Sequence, residues 1–211
     1  MTNRIDHFAI GARTLDQGVA ALAASLGVDI PRGGKHTAMS THNCVAQSGK
    51  ESFLEIIAID PEAPDVDRPR WFTLDEPETQ ARLADRPRAL CWVVGTDDLD
   101  AVLQSSPVDL GEVMLFSRGD RSWRLTVPKD GHLPEGGLLP AFIEWSPGPH
   151  PSTGMQDLGL RLQTVRLTHP APESLLQTLR TLGVDHLATL SEGPRALAFE
   201  LQSPLGTVTL D

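Results

Sequence analysis

Phe53-Leu54-Glu55-Ile56-Ile57-Ala58-Ile59 is a run of seven residues of which six are apolar. It reads as a strand packed into a core. The exception, Glu55, stands mid-run, where an ionised carboxylate is costly unless it has a partner. A shorter counterpart, Phe142-Ile143-Glu144-Trp145, lies downstream. Two apolar strands, each carrying one glutamate, point to two half-sites facing one cavity.

Working back from Phe53, the chain shows a repeating order of elements. Arg4–Ile10 alternates as a strand. Thr14 and Gln17 have capping-box spacing, and Leu15, Val19, Leu22 and Leu26 form a helical stripe that stops at Gly27. Short strands are expected at His36–Met39 and Asn43–Gln47, before the closing strand Phe53–Ile59. The order is β-α-β-β-β. Residues 60–88 form a Pro-rich connector, with a short helix expected at Glu78–Ala84. From Ala89 the pattern starts again. Arg4, Gly11, Leu15 and Asp16 recur 84 residues later as Arg88, Gly95, Leu99 and Asp100. A strand at Ala89–Val94, a helix at Asp97–Ser105 capped by Asp97, and a hairpin turning at Arg118-Gly119-Asp120 lead to Ala141–Trp145. After a linker, Leu162–Leu167, a helix from Pro172 with Leu175, Leu176, Leu179 and Leu182, then Ala196–Leu201 and Gly206–Leu210, give a third, divergent pass. His186–Leu190 is a weak strand candidate within it. The expected fold class is α+β, built from repeated βαβββ units. One domain (residues 1–150) pairs the units at 4–60 and 88–146, and the third unit occupies 155–211.

With 211 residues the chain can bury a sizeable core. A net charge of −10 argues against a surface that tracks nucleic-acid phosphates. Cys44 and Cys91 are the only cysteines, too few for a disulfide framework and in keeping with a reducing compartment. Met1-Thr2-Asn3-Arg4 runs straight into the first strand pattern, with no signal-like apolar segment and no run long enough to span a bilayer. A cytoplasmic protein is expected. Gly33-Gly34 and Gly136-Gly137 lack the context of a phosphate-cradling loop, so no nucleotide cofactor is expected. No Gly-x-Ser-x-Gly nucleophile elbow is present either.

Ile5-Asp6-His7-Phe8, Thr41-His42-Asn43, Phe53-Leu54-Glu55-Ile56-Ile57 and Phe142-Ile143-Glu144-Trp145 with His150-Pro151, taken in this order, resemble the glyoxalase-like domain family of the vicinal oxygen chelate superfamily. That superfamily includes glyoxalase I, extradiol dioxygenases and bleomycin-resistance proteins. The ending Ser203-Pro204-Leu205-Gly206-Thr207-Val208-Thr209-Leu210 is similar to its common closing hairpin. The resemblance implies two units pairing their sheets into an incomplete barrel of mixed sheet, with a metal or ligand in its concavity.

It also implies a ligand set from the first and last strands of each unit. His7, Glu55 and Glu144 match three of the positions, and the repeat places Cys91 at the fourth, where the family pattern has no cysteine. A His with two carboxylates suits a divalent Zn, Fe, Mn or Ni ion, and Cys is a ligand for softer metals only. Glu55 and Glu144 are then the candidate catalytic bases. The third unit has Thr164 and the neighbourhood of Thr209 at these positions, so it carries no half-site. Its expected role is to cover a sheet edge or to pair across a homodimer interface.

Other candidates come from the residues themselves. His42 and Asn43 sit on a hairpin that should line the concavity. Arg118, with Trp123 five residues on, suits a carboxylate or phosphate of a small-molecule ligand. His36 and His150 are rim candidates of lower rank. Trp71-Phe72 reads as packing of the connector, or as an apolar lid. Trp145, following Glu144 on a strand, should face away from the site. Three functional readings stay open. One is a metal-dependent isomerase, lyase or dioxygenase on an oxygen-rich small molecule. Another is a metal-free binding or sequestering protein. The third is a structural or regulatory dimer whose site has decayed.

Overall fold

The computed structural model describes residues 3–211; Met1 and Thr2 of the N-terminal lead-in lie outside it. The first unit comprises β1 (Arg4–Gly11), α1 (Leu15–Leu26), β2 (Arg32–His36), β3 (Thr41–Gly49) and β4 (Ser52–Ile59). Thr14 caps α1, its Oγ1 accepting from the Gln17 N–H at 3.2 Å. Gly27 ends the helix at φ 73°, a left-handed position that costs glycine little. The strand expected at His36–Met39 is displaced. Gly33-Gly34 is recruited into β2, and Thr37–Met39 forms a single 3-10 turn.

The connector carries α2 (Pro77–Asp85). The second unit follows as β5 (Arg88–Gly95), α3 (Leu99–Ser105), β6 (Glu112–Arg118), β7 (Arg121–Val127) and β8 (Ala141–Trp145). The cap of α3 is Asp98 rather than Asp97, because Asp98 Oδ1 accepts from the Ala101 N–H at 2.9 Å. The third unit holds β9 (Arg161–His169), α4 (Pro172–Thr181), β10 (Ala188–Glu192), β11 (Ala196–Ser203) and β12 (Gly206–Leu210).

The first two units join into one eight-stranded mixed sheet of order β2-β3-β4-β1-β5-β8-β7-β6. In each unit the closing strand runs parallel to the first, β4 with β1 and β8 with β5. The units meet where β1 and β5 run antiparallel, with Phe8 opposite Trp92 at the pseudo-two-fold axis. The sheet curls into a half-barrel, as expected for paired βαβββ units. The third unit keeps the β-α-β-β-β element order but not the pairing. Its four strands form a separate sheet, β10-β9-β11-β12, whose closing strand does not meet its first.

Strand alternation divides the core in two. Phe8, Ile10, Leu54, Ile56, Trp92 and Phe142 point to the convex side, in one core with Leu15, Leu22 and Leu26 of α1 and Leu99 and Val102 of α3. The third-unit sheet packs on the same side through Val165, Leu167, Phe199 and Leu201. The rings of Phe8 and Phe199 lie 4.7 Å apart. The third unit therefore covers the convex face near the seam between units, rather than an open sheet edge. Ala9, Ile57, Cys91, Val93, Leu125 and Ile143 point to the concave side, capped by Trp71 and Phe72 of the connector.

Candidate functional site

The concave face of β1 and β4 places His7 and Glu55 side by side. His7 sits opposite Phe53 and Ala9 opposite Glu55 in the parallel pairing. Both are buried, His7 at 8 % exposure and Glu55 at 4 %. His7 Nε2 faces Glu55 Oε2 at 3.7 Å, and the Phe53 ring stacks on the imidazole at 4.6 Å. Behind His7, its Nδ1 lies 2.6 Å from Asp6 Oδ1. Simple alternation would send Asp6 to the other face. A register shift in the β1–β5 pairing between Ile5 and His7 turns it inward instead, as bulges do.

Asp6 is fully buried and also takes hydrogen bonds from Trp145 Nε1 at 2.7 Å and His150 Nε2 at 2.9 Å. Burial opposes its ionisation, yet the bonds and charges of His150 and His7 win and lower its pKa to about 2. For His7, burial works against the charged form, while the hydrogen bond and charge of Asp6 and the charge of Glu55 overcome it, so its pKa is raised. The raised pKa favours the protonated ring, which lies between the side chains of Asp6 and Glu55.

The far side of Glu55 is held by Asn43 on β3. Asn43 Nδ2 donates to Glu55 Oε1 at 2.6 Å, and its Oδ1 accepts from the Gly34 N–H at 2.7 Å. A Cβ on Gly33 would overlap Asn43 Oδ1, so the glycine pair lets β2 close over the amide. His36 at the end of β2 joins the same group, with Nε2 at 3.9 Å from Glu55 Oε1 and Nδ1 at 3.1 Å from Thr41 Oγ1. Burial lowers the His36 pKa and keeps the ring neutral. A cavity of about 40 Å³ opens among these groups, walled by Trp71, Trp123 and Trp145, with Arg118 at its edge.

Several expected residues are placed elsewhere. Glu144 does not face the concavity. Ile143 and Trp145 of β8 point inward, whereas Glu144 points to the helix side, where its Oε2 accepts from Arg124 Nη1 at 2.8 Å. The strand register shows why. Glu55 pairs with Ala9, and the counterpart of Ala9 is Val93, whose partner is Ala141. The second unit thus has Ala141 where the first has Glu55. Trp145, expected to face away, lines the cavity. His42 also falls on the convex side of its strand, near Asp60 Oδ1 at 3.8 Å. Asn43, Arg118 and Trp123 do line the cavity. His36 and Asp6 were the residues least legible in advance. The parity of Gly34, His36 and Asn43 across the hairpin is the signal for the first, and no sequence signal marks the bulge at the second.

The metal set implied by the resemblance does not assemble from these side chains. Glu144 is on the other face. Cys91 stands at the position equivalent to His7, but burial pushes its thiol pKa well up and keeps it protonated. One oxygen of Glu55 is committed to Asn43. Among the described residues no three His, Cys, Asp or Glu side chains converge on one point. A cleft of about 440 Å³ between α2, the 132–138 loop and β11 is chemically quieter. Two of its arginines are already paired, Arg88 with Asp85 and Arg195 with Glu135. No described helix is long and apolar enough to cross a membrane.

Comparison with known proteins agrees with this architecture. The profile of the glyoxalase-like domain matches residues 5–183. A hypothetical protein from Staphylococcus aureus superposes with a TM-score of 0.59 at 16 % identity, over 99 % of this chain and 84 % of that one. Methylmalonyl-CoA epimerase from Mycobacterium tuberculosis aligns with a TM-score of 0.40 at 19 % identity, over 69 % of this chain and 88 % of its own. A Streptomyces coelicolor methylmalonyl-CoA epimerase variant in complex with 2-nitronate-propionyl-CoA aligns at 0.39 and 18 %, over 67 % and 95 %. No curated protein sequence matches the chain. With the profile matching most of its length and the paired βαβββ half-barrel in place, the chain belongs to the glyoxalase-like domain family of the vicinal oxygen chelate superfamily.

Proposed function

We propose that the half-barrel binds a small carbonyl compound and moves a proton at the carbon beside the carbonyl, with Glu55 as base and His7 as acid. The observation that carries this reading is the buried line Asp6–His7–Glu55, with contacts of 2.6 and 3.7 Å. Asp6 fixes the tautomer and orientation of His7 and holds its second proton. His7 Nε2–H is thereby aimed into the cavity. Glu55 Oε1 is anchored by Asn43, which leaves Oε2 beside that N–H.

A substrate carbonyl oxygen accepting from His7 Nε2–H places the adjacent carbon near Glu55. Glu55 takes the carbon-bound proton as the carbonyl oxygen gains negative charge, which the imidazolium neutralises by hydrogen bonding or proton transfer. Return of the proton from Glu55 to the same carbon gives exchange with solvent, and its return to the former carbonyl carbon, with His7 taking up the proton of the adjacent hydroxyl, gives an isomerisation without net oxidation. General acid–base catalysis of this kind contributes about 10²–10⁴-fold per group. The aromatic walls exclude water and strengthen both electrostatic contacts.

The test is hydrogen–deuterium exchange at carbon, followed by proton NMR in D₂O with EDTA present. Pyruvate, 2-oxobutyrate, hydroxyacetone and dihydroxyacetone form the probe set. Catalysed exchange of at least one probe, lost in Glu55→Gln and His7→Asn, is the expected result. Exchange that appears only after adding Zn²⁺, Mn²⁺, Fe²⁺ or Ni²⁺ would replace this reading with the metal-dependent one. Saturable binding with no exchange would make the protein a sequestering module.

A further inference from the structure

Two features of the cavity wall are not used by the proton-transfer pair. Trp71 is 4 % exposed, and its indole N–H has no acceptor among the described residues. A buried donor left without a partner calls for an explanation, and of the eight such side-chain atoms among the described residues this one alone belongs to the cavity wall. The two residues that follow it, Phe72 at φ 61° and Thr73 at φ 56°, are both left-handed without being glycine. Bulky and β-branched residues avoid that region, so the turn is strained. The surrounding contacts hold it in place. Arg70 and Asp75 clamp its ends through the Arg70 N–H and Nη1, each 2.6 Å from the Asp75 carboxylate, and the Thr73 N–H donates to the Gly131 carbonyl at 2.9 Å. An orphaned donor and stored strain thus coincide on one segment of the cavity wall.

The second feature is Arg118. Most arginines of this acidic chain are paired with carboxylates, but Arg118 has none within 4.0 Å among the described residues. It lies at the cavity edge, with Nη1 against Gly34, where a Cβ would come within 2.5 Å. The glycine therefore makes room for the guanidinium.

We infer that the site is built for a small monocarboxylate, whose carboxylate lies on Arg118 and accepts a hydrogen bond from Trp71 Nε1, with its carbonyl end at His7 and Glu55. This rests on the proton-transfer reading for the second half of that placement only. The carboxylate is preferred over a dianion because Glu55 already supplies a negative charge inside the cavity. A planar group also matches the guanidinium fork and the flat walls of Trp71, Trp123 and Trp145. The room beside these groups, about 40 Å³, is that of a few water molecules, so a ligand enters by displacing the Trp71-Phe72 turn. Strain in that turn lowers the cost of the displacement.

The test uses the full chain and four monocarboxylates (acetate, glycolate, pyruvate and 2-oxobutyrate), with hydroxyacetone as the neutral counterpart of pyruvate and inorganic phosphate as the alternative anion. Indole N–H resonances of the four tryptophans are followed by ¹⁵N–¹H NMR, with Trp71 assigned from Trp71→Phe. The expected result is saturable binding of at least one monocarboxylate, a shift of the Trp71 indole signal, and affinity at least about tenfold weaker in both Arg118→Gln and Trp71→Phe. Hydroxyacetone should bind equally to wild type and Arg118→Gln. Thermal melts of both variants check that they fold, and Arg118→Lys, which keeps the charge without the fork, should bind at an intermediate level. No saturable binding of any monocarboxylate in the millimolar range, tighter binding of phosphate, or binding indifferent to both substitutions overturns the inference. Carbon exchange on the same samples separates the two readings. Exchange of pyruvate that needs Glu55 but ignores both Arg118 and Trp71 leaves the proton-transfer reading standing and removes this one. Pyruvate bound through Arg118 and Trp71 but never exchanged does the reverse.

Discussion

His150 Nε2 donates to Asp6 Oδ2 across 2.9 Å, joining residues that lie 144 positions apart. The Asp6 carboxylate only accepts, so His150 Nε2 carries a proton, and the local turn holds the other ring nitrogen, with Ser152 Oγ at 2.8 Å and the Ser152 N–H at 3.2 Å from Nδ1. Ser152 Oγ in turn donates to the Lys50 carbonyl at 3.0 Å, which ties the linker to the β3–β4 hairpin. The linker after β8 therefore serves the site from behind: it completes the shell of Asp6, and Asp6 orients His7.

Asp6→Asn is expected to be costly for two separable reasons. Three donors converge on the carboxylate, and an amide presents N–H groups to some of them. Removing one partner of a buried charged network costs about 3–5 kcal/mol, and urea unfolding measures it. The same substitution removes the charge that holds the second proton of His7, so an NMR titration should find the His7 pKa lower than in wild type. A stability loss without a His7 change would mean that Asp6 is only a structural hub.

The pH dependence of stability follows from the same pair. The Asp6 pKa is about 2 in the folded chain against 3.8 ordinarily, so its contribution is present above pH 3.8 and is lost as pH falls toward 2. That difference corresponds to about 2 kcal/mol. The His7 pKa is raised from 6.5, so its contribution is full below pH 6.5 and is lost as pH rises through the folded value. Chemical denaturation should show the Asp6 and His7 contributions present together only between about pH 4 and 6.5, while His36, whose pKa burial lowers, adds a loss of its own as pH falls below 6.5. In His7→Gln the alkaline fall attributable to His7 should vanish.

Much of this arrangement can be read from the chain, and the failures have a common physical origin. The paired units, the 84-residue recurrence and the closing strand around Glu55 follow from apolar periodicity and repeat spacing, which the strand register reproduces at Phe8 and Trp92. Face assignment is more fragile. A slip of one residue turns every side chain over. Reading Glu144 as the twin of Glu55 matched the local pattern of an acid in an apolar strand, but the parallel pairing sets Ala141 in that place. The same slip moved Trp145 out of the site and His42 into it. Asp6 was hidden by a bulge, which leaves no compositional mark.

The two glutamates should therefore behave differently. Glu144 is partly exposed and shares Arg124 with Asp100, so Glu144→Gln should cost at most about 1 kcal/mol and leave ligand binding unchanged. Glu55→Gln should abolish carbon exchange while keeping the Asn43 contact, because a glutamine carbonyl still accepts from Nδ2. Equal loss of function in both variants would show that the face assignment of β8 is wrong.

The adjacent glycines of β2 offer the sharpest contrast. A Cβ on Gly33 would overlap Asn43 Oδ1 and also come within 3.2 Å of Val45. Asn43 cannot yield without releasing either the Gly34 N–H or Glu55, so Gly33→Ala should destabilise by about 1–3 kcal/mol. At Gly34 the obstacle is Arg118 Nη1 at 2.5 Å, the far end of a flexible and exposed side chain. Gly34→Ala should therefore melt close to wild type, yet push the guanidinium off the cavity edge and weaken carboxylate binding. Comparing melting temperature with pyruvate affinity in the two variants separates the roles. The first should lose stability and binding together, and the second should lose binding alone.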